Sequence, residues 1–591
     1  MRTTNLKTSR FLHLLPYLLF FTGTVFYFYW FANYIFFYQE KTSLFLVSFS
    51  YLKEHFDQPG GFLEYLGSLV SAFYYHKFTG PVLMGLIIFA SVLLVARIAK
   101  IKTGKPAPVF PFLIGAGMVY LQANYQYAAV NNLGIFLQLL FFYLTLRFFR
   151  KRLEWIPVLL FPGWYILTGG FSWIFLVLFA VHLVIERNEH WWKKIVLVLV
   201  LSAAAFFISM EFLFYQTPAN LLVYPIEAQQ TGMQLKELAV LVFIILLLPV
   251  LSKFKISSLQ NKKKKKINWV QFVPFIILIG LAFALVPKID KKNSHYFHVE
   301  ELFYKQQYEK LIAFNEAFPS TNRLTIFLNN IALAETGQLT DRLFEFPQDP
   351  NGGTLFLEWE MVGEVLKRGG YFYYTVGIIN EAQRWAYEYM VMRGYTPEGL
   401  KMLIKTELIN GNYEVAQKYI HTLKQTIFYR QEARAYEKLL FDDEAVDAHP
   451  ELGEKKRMKP ESDFFVLSDN PAANLRQIVS TDSTHLFALE YQFAWQLLQK
   501  DIEGIVENLP LLEKSGYRRI PRHIQEAAAG YKQLQMGPFP ELGYLGIDPQ
   551  IEQRFRRYYQ VFQQNSSSRE RAHRALYRDF SDTFWFYLFF K

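Results

Sequence analysis

The sequence contains no cysteine. Disulfide bonds, thiol catalysis and thiolate metal sites are therefore excluded. Common motifs of soluble enzymes are missing as well: there is no Walker A loop, no G-x-G-x-x-G after a strand, no H-E-x-x-H and no G-x-S-x-G. The 12 histidines are scattered along the chain without the spacing of metal ligands. These absences exclude the chemistries of soluble enzymes that depend on those motifs.

Acidic residues are scarce in the first half of the chain. Residues 1–287 carry 10 acidic and 25 basic side chains, whereas residues 288–591 carry 41 and 37. The excess of basic charge therefore does not belong to one folded basic domain, so no nucleic-acid partner is expected. Apolar residues make up 52% of the sequence and aromatic residues 18%. This composition is typical of a chain in contact with membrane lipids.

Long apolar segments predict a polytopic membrane domain over residues 1–287. A spanning helix needs roughly 20 mostly apolar residues. The first candidate covers residues 11–38, which is too long for a signal-peptide core and is followed by no cleavage site, so it predicts an uncleaved anchor. A tight Gly169-Gly170 turn separates two of the later candidates. About nine spans are expected in all, the others being residues 79–98, 108–123, 128–148, 155–169, 170–186, 194–214, 237–252 and 269–287.

The distribution of basic residues predicts the orientation. With a cytoplasmic N-terminus, the inside loops hold 21 basic residues, and the outside loops hold only Lys41, Lys53, Lys77 and Lys236. This is a strong positive-inside bias. An odd number of spans then makes the C-terminal half extracytoplasmic. We therefore expect a multi-pass protein of the inner membrane with a periplasmic C-terminal domain. The run Lys262–Lys266 is interpreted as a determinant of topology rather than a lipid or nucleic-acid site.

The second half predicts an all-α domain of paired helices. At an offset of 34 residues, Ala382 aligns with Ala416 and Trp385 with Tyr419. This period favours a tetratricopeptide-like (TPR-like) α-solenoid, with a generic α-helical solenoid as the alternative. The aromatic tail at residues 582–591 is expected to pack on the solenoid or on the membrane surface. The predicted divisions are repeats at 288–440, a linker or insertion at 441–483, and repeats with the tail at 484–591.

The first outer loop, residues 39–78, is the most informative segment for function. Two amphipathic stretches, 43–56 and 62–75, are expected to lie in the membrane interface. Glu40 precedes them within one turn of the bilayer, and Glu211 lies near the outer end of a predicted span, where an acid is costly and therefore a candidate for function. Residues 122–126 and 131–132 add uncharged polar groups at that depth. With Glu40 as the catalytic candidate, the ligand-binding candidates are Lys41, His55, Asp57, Glu64, His76, Lys77, Glu211, Glu227 and Lys236.

Both carboxylates also have a structural interpretation. Glu40 could mark the interface as a partner of Lys41, and Glu211 could bond to a neighbouring helix. The sequence leaves these alternatives open.

With Glu40 followed by two amphipathic stretches, the chain resembles the integral-membrane GT-C glycosyltransferases over roughly residues 1–290. In that family an acidic catalytic residue opens the first extracytoplasmic loop, sugars come from polyprenyl-phosphate carriers, and one branch of eukaryotic O-mannosyltransferases ends in tetratricopeptide repeats. This sequence departs from the family by having Gln39-Glu40 in place of an Asp-Glu or D-x-D pair. As a whole, the chain resembles an uncharacterised family of envelope proteins from Gram-negative gut bacteria.

The resemblance implies a transferase that moves a polyprenyl-linked sugar to a protein or glycan acceptor, with Glu40 as general base and the solenoid holding the acceptor. The lipid phosphate needs a cationic partner, so Lys41, Lys77, Lys236 or a divalent metal is left open for that role. A second hypothesis is a non-catalytic scaffold or assembly factor whose spans anchor the solenoid. A transporter or flippase subunit comes last, because the sequence shows neither paired broken helices nor inverted halves.

Overall fold

The computed structural model describes residues 2–103, 109–149, 151–187, 189–226, 234–253, 272–360, 363–460, 464, 466–467 and 470–591. Throughout these residues the regular structure is helical. The chain forms two compact units. The first consists of residues 1–294 and 425–430, and the second of residues 295–424 and 431–591. The all-α prediction is therefore confirmed for the described part of the chain.

Apolar helices and short connections build the first unit. Its helices are α1 (Arg2–Trp30), α2 (Tyr34–Lys41), α3 (Phe49–Glu54), α4 (Gly61–Ala72), α5 (Thr79–Thr103), α6 (Val109–Gln122), α7 (Ala129–Phe148), α8 (Trp155–Thr168), α9 (Ser172–Glu186), α10 (Trp191–Ile208), α11 (Pro218–Val223), α12 (Leu235–Leu246) and α13 (Val273–Leu285). Within the described residues, each predicted apolar segment contains or overlaps one of these helices, except that the first is divided between α1 and α2; the segments 194–214 and 237–252 continue beyond the ends of α10 and α12.

Fewer of these helices are long enough to cross a membrane than the sequence predicts. Four described helical stretches have the necessary length and apolar composition: Thr79–Thr103, Ala129–Phe148, Trp155–Glu186 and Trp191–Leu213. The number is six if each of two bent pairs is one span: Leu14–Trp30 with Tyr34–Lys41, and Val273–Lys288 with Lys291–Tyr304. The prediction of nine spans is therefore corrected to four to six. The reason is length, because α6 has only 14 residues and α12 only 12.

The stretch Trp155–Glu186 has 32 residues, but it consists of α8, a short turn at Gly169–Phe171 and α9, and the chain reverses direction within it. The rings of Phe161 and Phe175 are 6.3 Å apart, although fourteen residues of straight helix would separate them by about 21 Å. The reversal lies at Gly169, whose φ is +56°. A Cβ atom there would lie 2.2 Å from the carbonyl oxygen of Tyr224, so only glycine fits. The tight Gly169-Gly170 turn predicted from the sequence is present.

Small residues bring the central helices of the first unit together. Helix α5 packs against α1, α6 and α7. A Cβ atom added at Gly115 of α6 would lie 2.4 Å from a methyl carbon of Val92 in α5, and Val92 is fully buried. Glycine therefore allows these two helices to approach closely, as is common between helices in membranes.

Shorter and more polar helices make up the second unit. They are α14 (Lys291–Tyr304, beginning in the first unit), α15 (Tyr308–Ala317), α16 (Arg323–Glu335), α17 (Leu339–Arg342), α18 (Gly363–Thr375), α19 (Ile379–Arg393), α20 (Pro397–Ile409), α21 (Tyr413–Lys424), α22 (Arg430–Glu437, with Arg430 in the first unit), α23 (Asp443–Ala448), α24 (Pro450–Arg457), α25 (Pro471–Thr481), α26 (Leu486–Gln499), α27 (Ile502–Lys514), α28 (Arg522–Gln533), α29 (Pro549–Asn565), α30 (Arg569–Phe580) and α31 (Phe584–Phe590). Many of the helices that follow one another in the chain also pack together, for example α18 with α19 and α19 with α20.

The residues aligned at an offset of 34 lie at helix contacts. Ala382 and Ala416 are both fully buried. Trp385 is also fully buried, and it lies so close to α18 that a Cβ atom at Gly369 would be 2.1 Å from its ring. Tyr419 is only half-buried. The aligned small residues thus lie where helices pack together. That the repeats form a TPR-like solenoid stays a prediction.

Helices also occupy part of residues 441–483, where the sequence predicts a linker or insertion. Helices α23 and α24 begin at side-chain caps, in which Asp442 accepts a hydrogen bond from the backbone of Ala445 and His449 accepts one from that of Leu452. These helices are too short for a sustained apolar period, which explains why the sequence pattern does not reveal them.

The aromatic tail is buried within the second unit. Trp585 is 1% exposed, and its indole nitrogen donates to the carbonyl oxygen of Glu526 at 2.7 Å. The hydroxyl of Tyr587 donates to the carbonyl oxygen of Leu498 at 2.9 Å. Of the two predicted locations, packing on the helices of the C-terminal half is therefore the one that the structure shows.

Candidate functional site around Glu40

Glu40 lies near the end of α2, just after a sharp bend in the chain. The axes of Leu14–Trp30 and Tyr34–Lys41 differ by 68°. Asn33 lies in this bend, and its side-chain amide donates to the carbonyl oxygen of Lys77 at 2.7 Å. The bend and this bond hold α2 beside the start of α5. As a result Glu40 is turned inward and is only 5% exposed.

Three polar side chains meet at this point, and we name Glu40, Lys41 and Tyr429 the Glu40 cluster. The hydroxyl of Tyr429 donates to Oε1 of Glu40. The ammonium nitrogen of Lys41 is 3.3 Å from Oε2 of Glu40 and donates to the hydroxyl oxygen of Tyr429 at 2.8 Å. A carboxylate, a hydroxyl and an ammonium group are therefore in mutual contact, shielded from solvent. Such charge-assisted hydrogen bonds are stronger than neutral ones.

Residues 425–430 hold Tyr429 in the cluster, although they are far from Glu40 in sequence. The backbone nitrogen of Val47 donates to the carbonyl oxygen of Gln425 at 2.8 Å. The ring of Phe428 stacks on that of Tyr75, with centroids 5.0 Å apart and planes 3° from parallel. The same ring lies 5.3 Å from that of His76. The segment is thus fixed to the first outer loop by backbone and ring contacts.

A row of buried amides lies next to the Glu40 cluster. The side-chain nitrogen of Gln39 donates to the carbonyl oxygen of Tyr127 at 2.9 Å, and that of Gln122 donates to the same oxygen at 3.3 Å. Asn132 donates to Oε1 of Gln122 at 2.9 Å. The polar residues 122–126 and 131–132 predicted at this depth are therefore linked to α2 through Gln39.

Several polar atoms of this row have no hydrogen-bond partner in the described residues. They are Oε1 of Gln39, the hydroxyl of Tyr127, Oδ1 of Asn131 and Oδ1 of Asn132. A buried polar group without a partner costs about 1–3 kcal/mol, so such groups commonly bind water or a polar ligand.

The other candidates of the first outer loop have different surroundings. Nδ1 of His55 is 2.7 Å from the carbonyl oxygen of Tyr51, and its ring packs on that of Tyr65 at 5.6 Å. His55 therefore belongs to the aromatic contact between α3 and α4. Asp57 is exposed and Glu64 is half-buried.

His76 and Lys77 lie closer to the Glu40 cluster. Both side chains are exposed. His76 contacts the ring of Phe428, which precedes Tyr429, and the backbone of Lys77 accepts the bond from Asn33. These two residues therefore border the segments that position Glu40 and Tyr429.

The remaining candidates do not contact Glu40. Glu211 is exposed in a short π-helical turn, Ser209–Leu213. Lys236 is exposed as well, and Glu227 lies outside the described residues. Among the hydrogen bonds and ion pairs of the described residues, none joins Glu211 or Lys236 to Glu40. The predicted cavity that includes both carboxylates therefore stays a prediction.

Tyr429 is the residue of the cluster that the sequence did not indicate. It lies 389 residues after Glu40, in a break between two helices with no apolar period. The one available signal is the aromatic pair Phe428-Tyr429 between two polar amphipathic helices. That pattern alone does not identify a partner.

The chemistry available at the cluster is that of a base and a cation. Glu40 can accept a proton, and Lys41 can neutralise a nearby anion. Within the described part of the chain, no group of three or more histidine, aspartate or glutamate side chains could hold a metal ion. Lys41 is therefore the cationic group that the cluster itself offers to a phosphate.

Comparison with known proteins gives one match. The model of a family described as a family of unknown function (DUF6057) matches residues 8–591. Neither the curated proteins nor the solved structures include a match to the chain.

Proposed function

This chain belongs to that family, and because the family's description assigns no reaction, we propose a function from the residues of the chain itself. We propose that the protein is a membrane glycosyltransferase that uses a polyprenyl-phosphate-linked sugar as donor. The proposal includes a location in the inner membrane, with the N-terminus in the cytoplasm and the C-terminal half, as a TPR-like solenoid, in the periplasm. It therefore requires an odd number of membrane crossings, because an even number would place the C-terminal half in the cytoplasm. The acceptor is a protein or a glycan that the C-terminal half binds.

One observation carries the proposal: the carboxylate of Glu40 is bonded to a hydroxyl group that is also bonded to a cation. A general base must lie within hydrogen-bond distance of the proton that it removes. We propose that the Tyr429 hydroxyl occupies the position of the acceptor hydroxyl. Helices α3 and α4 follow directly, in the loop that the GT-C resemblance requires to be amphipathic.

The proposed reaction uses the Glu40 cluster as follows. An acceptor hydroxyl displaces that of Tyr429 and gives its proton to the Glu40 carboxylate. The acceptor oxygen forms a bond to the anomeric carbon of the sugar, and the bond from that carbon to the phosphate oxygen breaks. The electron pair leaves with the phosphate, whose charge Lys41 stabilises.

The decisive experiment is the Glu40→Gln variant, tested by profiling envelope glycans and glycoproteins at wild-type abundance and compared with a deletion strain. Glutamine keeps the shape but cannot accept the proton. General-base catalysis contributes about 10²–10⁴-fold, so we expect the variant to reproduce the glycosylation defect of the deletion. Glu54→Gln, which changes an exposed carboxylate of the same loop, should behave as wild type. A Glu40→Gln strain with a normal profile beside a defective deletion strain would refute the catalytic role.

A second candidate function is a non-catalytic scaffold of the cell envelope. It is favoured by the burial of Glu40 and by the engagement of both of its carboxylate oxygens. In this case the only role of the cluster is structural: it holds residues 425–430 against α2.

The Tyr429→Phe variant separates the two functions. In an enzyme, the phenylalanine leaves Glu40 and Lys41 in place, so sugar transfer should continue. In a scaffold, loss of the hydroxyl should lower both the unfolding temperature and the function, because a buried pair loses its shared partner. The unfolding temperature should fall in both cases, because the same hydrogen bonds are lost, so glycan profiling of the folded variant is the measurement that separates the two proposals.

A further inference from the structure

The second unit contains a cavity of about 270 Å³. Helices α14, α15, α16, α18, α20 and α24 all contribute to its lining. This volume is slightly below the roughly 300–1,000 Å³ of pockets for drug-sized ligands. It suits a single side chain or a small organic ion. The aromatic part of the lining consists of Phe303, Tyr304, Tyr308, Tyr371 and Tyr374.

Carboxylates outnumber ammonium groups in the rest of the lining. The lining contains four carboxylates and two ammonium groups, namely Glu335, Glu398, Glu451 and Glu454 against Lys405 and Lys455.

Both of these lysines already have carboxylate partners within the cavity. The ammonium nitrogen of Lys405 is 2.6 Å from Oε1 of Glu451, and that of Lys455 is 2.8 Å from Oε1 of Glu335. Glu398 pairs with Lys401 at 3.2 Å. Glu454 is half-buried and forms no ion pair in the described residues, so its negative charge is uncompensated there.

The pKa shifts of Glu451 and Tyr308 indicate which of these two groups of the lining is charged. Burial acts to raise the pKa of Glu451, but the charge and hydrogen bond of Lys405 outweigh it and hold that pKa below its usual value. Glu451 is therefore ionised at neutral pH. Burial, together with the negative charges of Glu335, Glu451 and Glu454, raises the pKa of Tyr308. The tyrosine therefore remains a neutral hydroxyl facing carboxylates.

We propose that this cavity binds an alkylammonium group. The charged head pairs with Glu454, and the aliphatic stem lies against the tyrosine rings, which also attract cations. A neutral sugar would leave the Glu454 charge uncompensated. A metal ion is disfavoured, because no group of three suitable side chains occurs in the described residues. The ammonium group belongs either to a free amine or to a lysine side chain of a peptide. This inference is independent of the glycosyltransferase proposal.

Isothermal titration calorimetry on the full-length protein in detergent tests the proposal. The probes are n-butylammonium, its neutral analogue 1-butanol and N-acetyl-lysine N-methylamide. We expect saturable binding of n-butylammonium and at least tenfold weaker binding of butanol. Tighter binding of the lysine derivative than of n-butylammonium identifies a peptide as the source. Binding of n-butylammonium without the lysine derivative identifies a free amine.

Two variants and a salt series control the measurement. Glu454→Gln should weaken n-butylammonium binding at least fivefold, whereas Glu503→Gln, at an exposed position of α27, should leave it unchanged. On the unmodified protein, raising NaCl from about 50 to about 500 mM should weaken binding through screening. The proposal is overturned if neither ammonium probe binds at millimolar concentration, if butanol binds equally well, or if the Glu454→Gln protein, folded by its melting curve, binds as wild type.

Discussion

Glu490 is a carboxyl group that folding removes from water. It lies in α26 with 6% exposure, and its Oε1 accepts a hydrogen bond from the backbone nitrogen of Thr340 at 3.4 Å. Burial raises the pKa of Glu490 to about 8, although backbone hydrogen bonds from Thr340 and Leu339 act to lower it. The group is therefore largely protonated at neutral pH in the folded chain and ionised in the unfolded chain.

This shift predicts a pH-dependent gain in stability for Glu490→Gln. Below a pH of about 4.5, the usual glutamate pKa, both states hold the proton. As the pH rises from there to about 8, only the unfolded state releases it, so the free energy of unfolding falls by up to about 1.4 kcal/mol per unit. Glutamine does not titrate. The variant should therefore gain stability relative to wild type as the pH increases through this window.

The measurement is thermal unfolding in one detergent at pH values of about 5 and about 8. The difference in melting temperature between Glu490→Gln and wild type should be larger at the higher pH. Glu503→Gln, at an exposed position, should show no such change. An equal difference at both pH values would contradict the raised pKa.

At the scale of single elements, the contact between α18 and α19 depends on the absence of one side chain. A Cβ atom at Gly369 would lie 2.1 Å from the ring of Trp385. That ring cannot move freely, because Trp385 is fully buried and its indole nitrogen donates to Glu381 at 3.1 Å. Gly369→Ala should therefore destabilise the second unit by about 1–3 kcal/mol, the usual effect of overpacking.

The test compares the stability of Gly369→Ala and of Gly546→Ala with that of wild type, measured by urea or thermal unfolding. Gly546 has open space around the position of its Cβ, so alanine there should change stability little. If both variants unfold together with wild type, the close approach of α18 to Trp385 is not important for stability.

Sequence patterns predict the helices well where hydropathy is periodic or continuous. The segment 128–148 corresponds to α7 at Ala129–Phe148, and 79–98 lies within α5. The number of spans is predicted less well, because an apolar run shows that a helix is buried but does not fix whether its length matches a bilayer. The role of Tyr429, and which of the two predicted surfaces buries Trp585, were not predictable, since both depend on contacts between residues far apart in sequence.

At the scale of the whole molecule, the charge distribution predicts which loops face each side of the membrane. The chain contains no cysteine, so single-cysteine variants can be labelled without a background. Lys53→Cys and Glu503→Cys should react with a membrane-impermeant maleimide in intact cells. Glu189→Cys, in the predicted inside loop after α9, should react only after lysis. All three positions are exposed, so access to solvent is not limiting.

The reverse labelling pattern would show that the protein has the opposite orientation, with Glu40 on the cytoplasmic side. A polyprenyl-linked donor on the periplasmic face would then be out of reach, so the glycosyltransferase proposal would fail with it. Labelling of Lys53→Cys without Glu503→Cys would instead indicate an even number of spans.

The position of Tyr429 in the chain has a consequence for synthesis. Glu40 leaves the ribosome 389 residues before its partner, and at about 5–20 residues per second this interval is roughly 20–80 s. During that time the membrane helices are already made, but Glu40 and Lys41 lack the hydroxyl that joins them. The first unit is therefore completed only after residues 295–424 of the second unit have been translated, and a nascent or truncated chain that ends before residue 425 carries an unfinished Glu40 cluster.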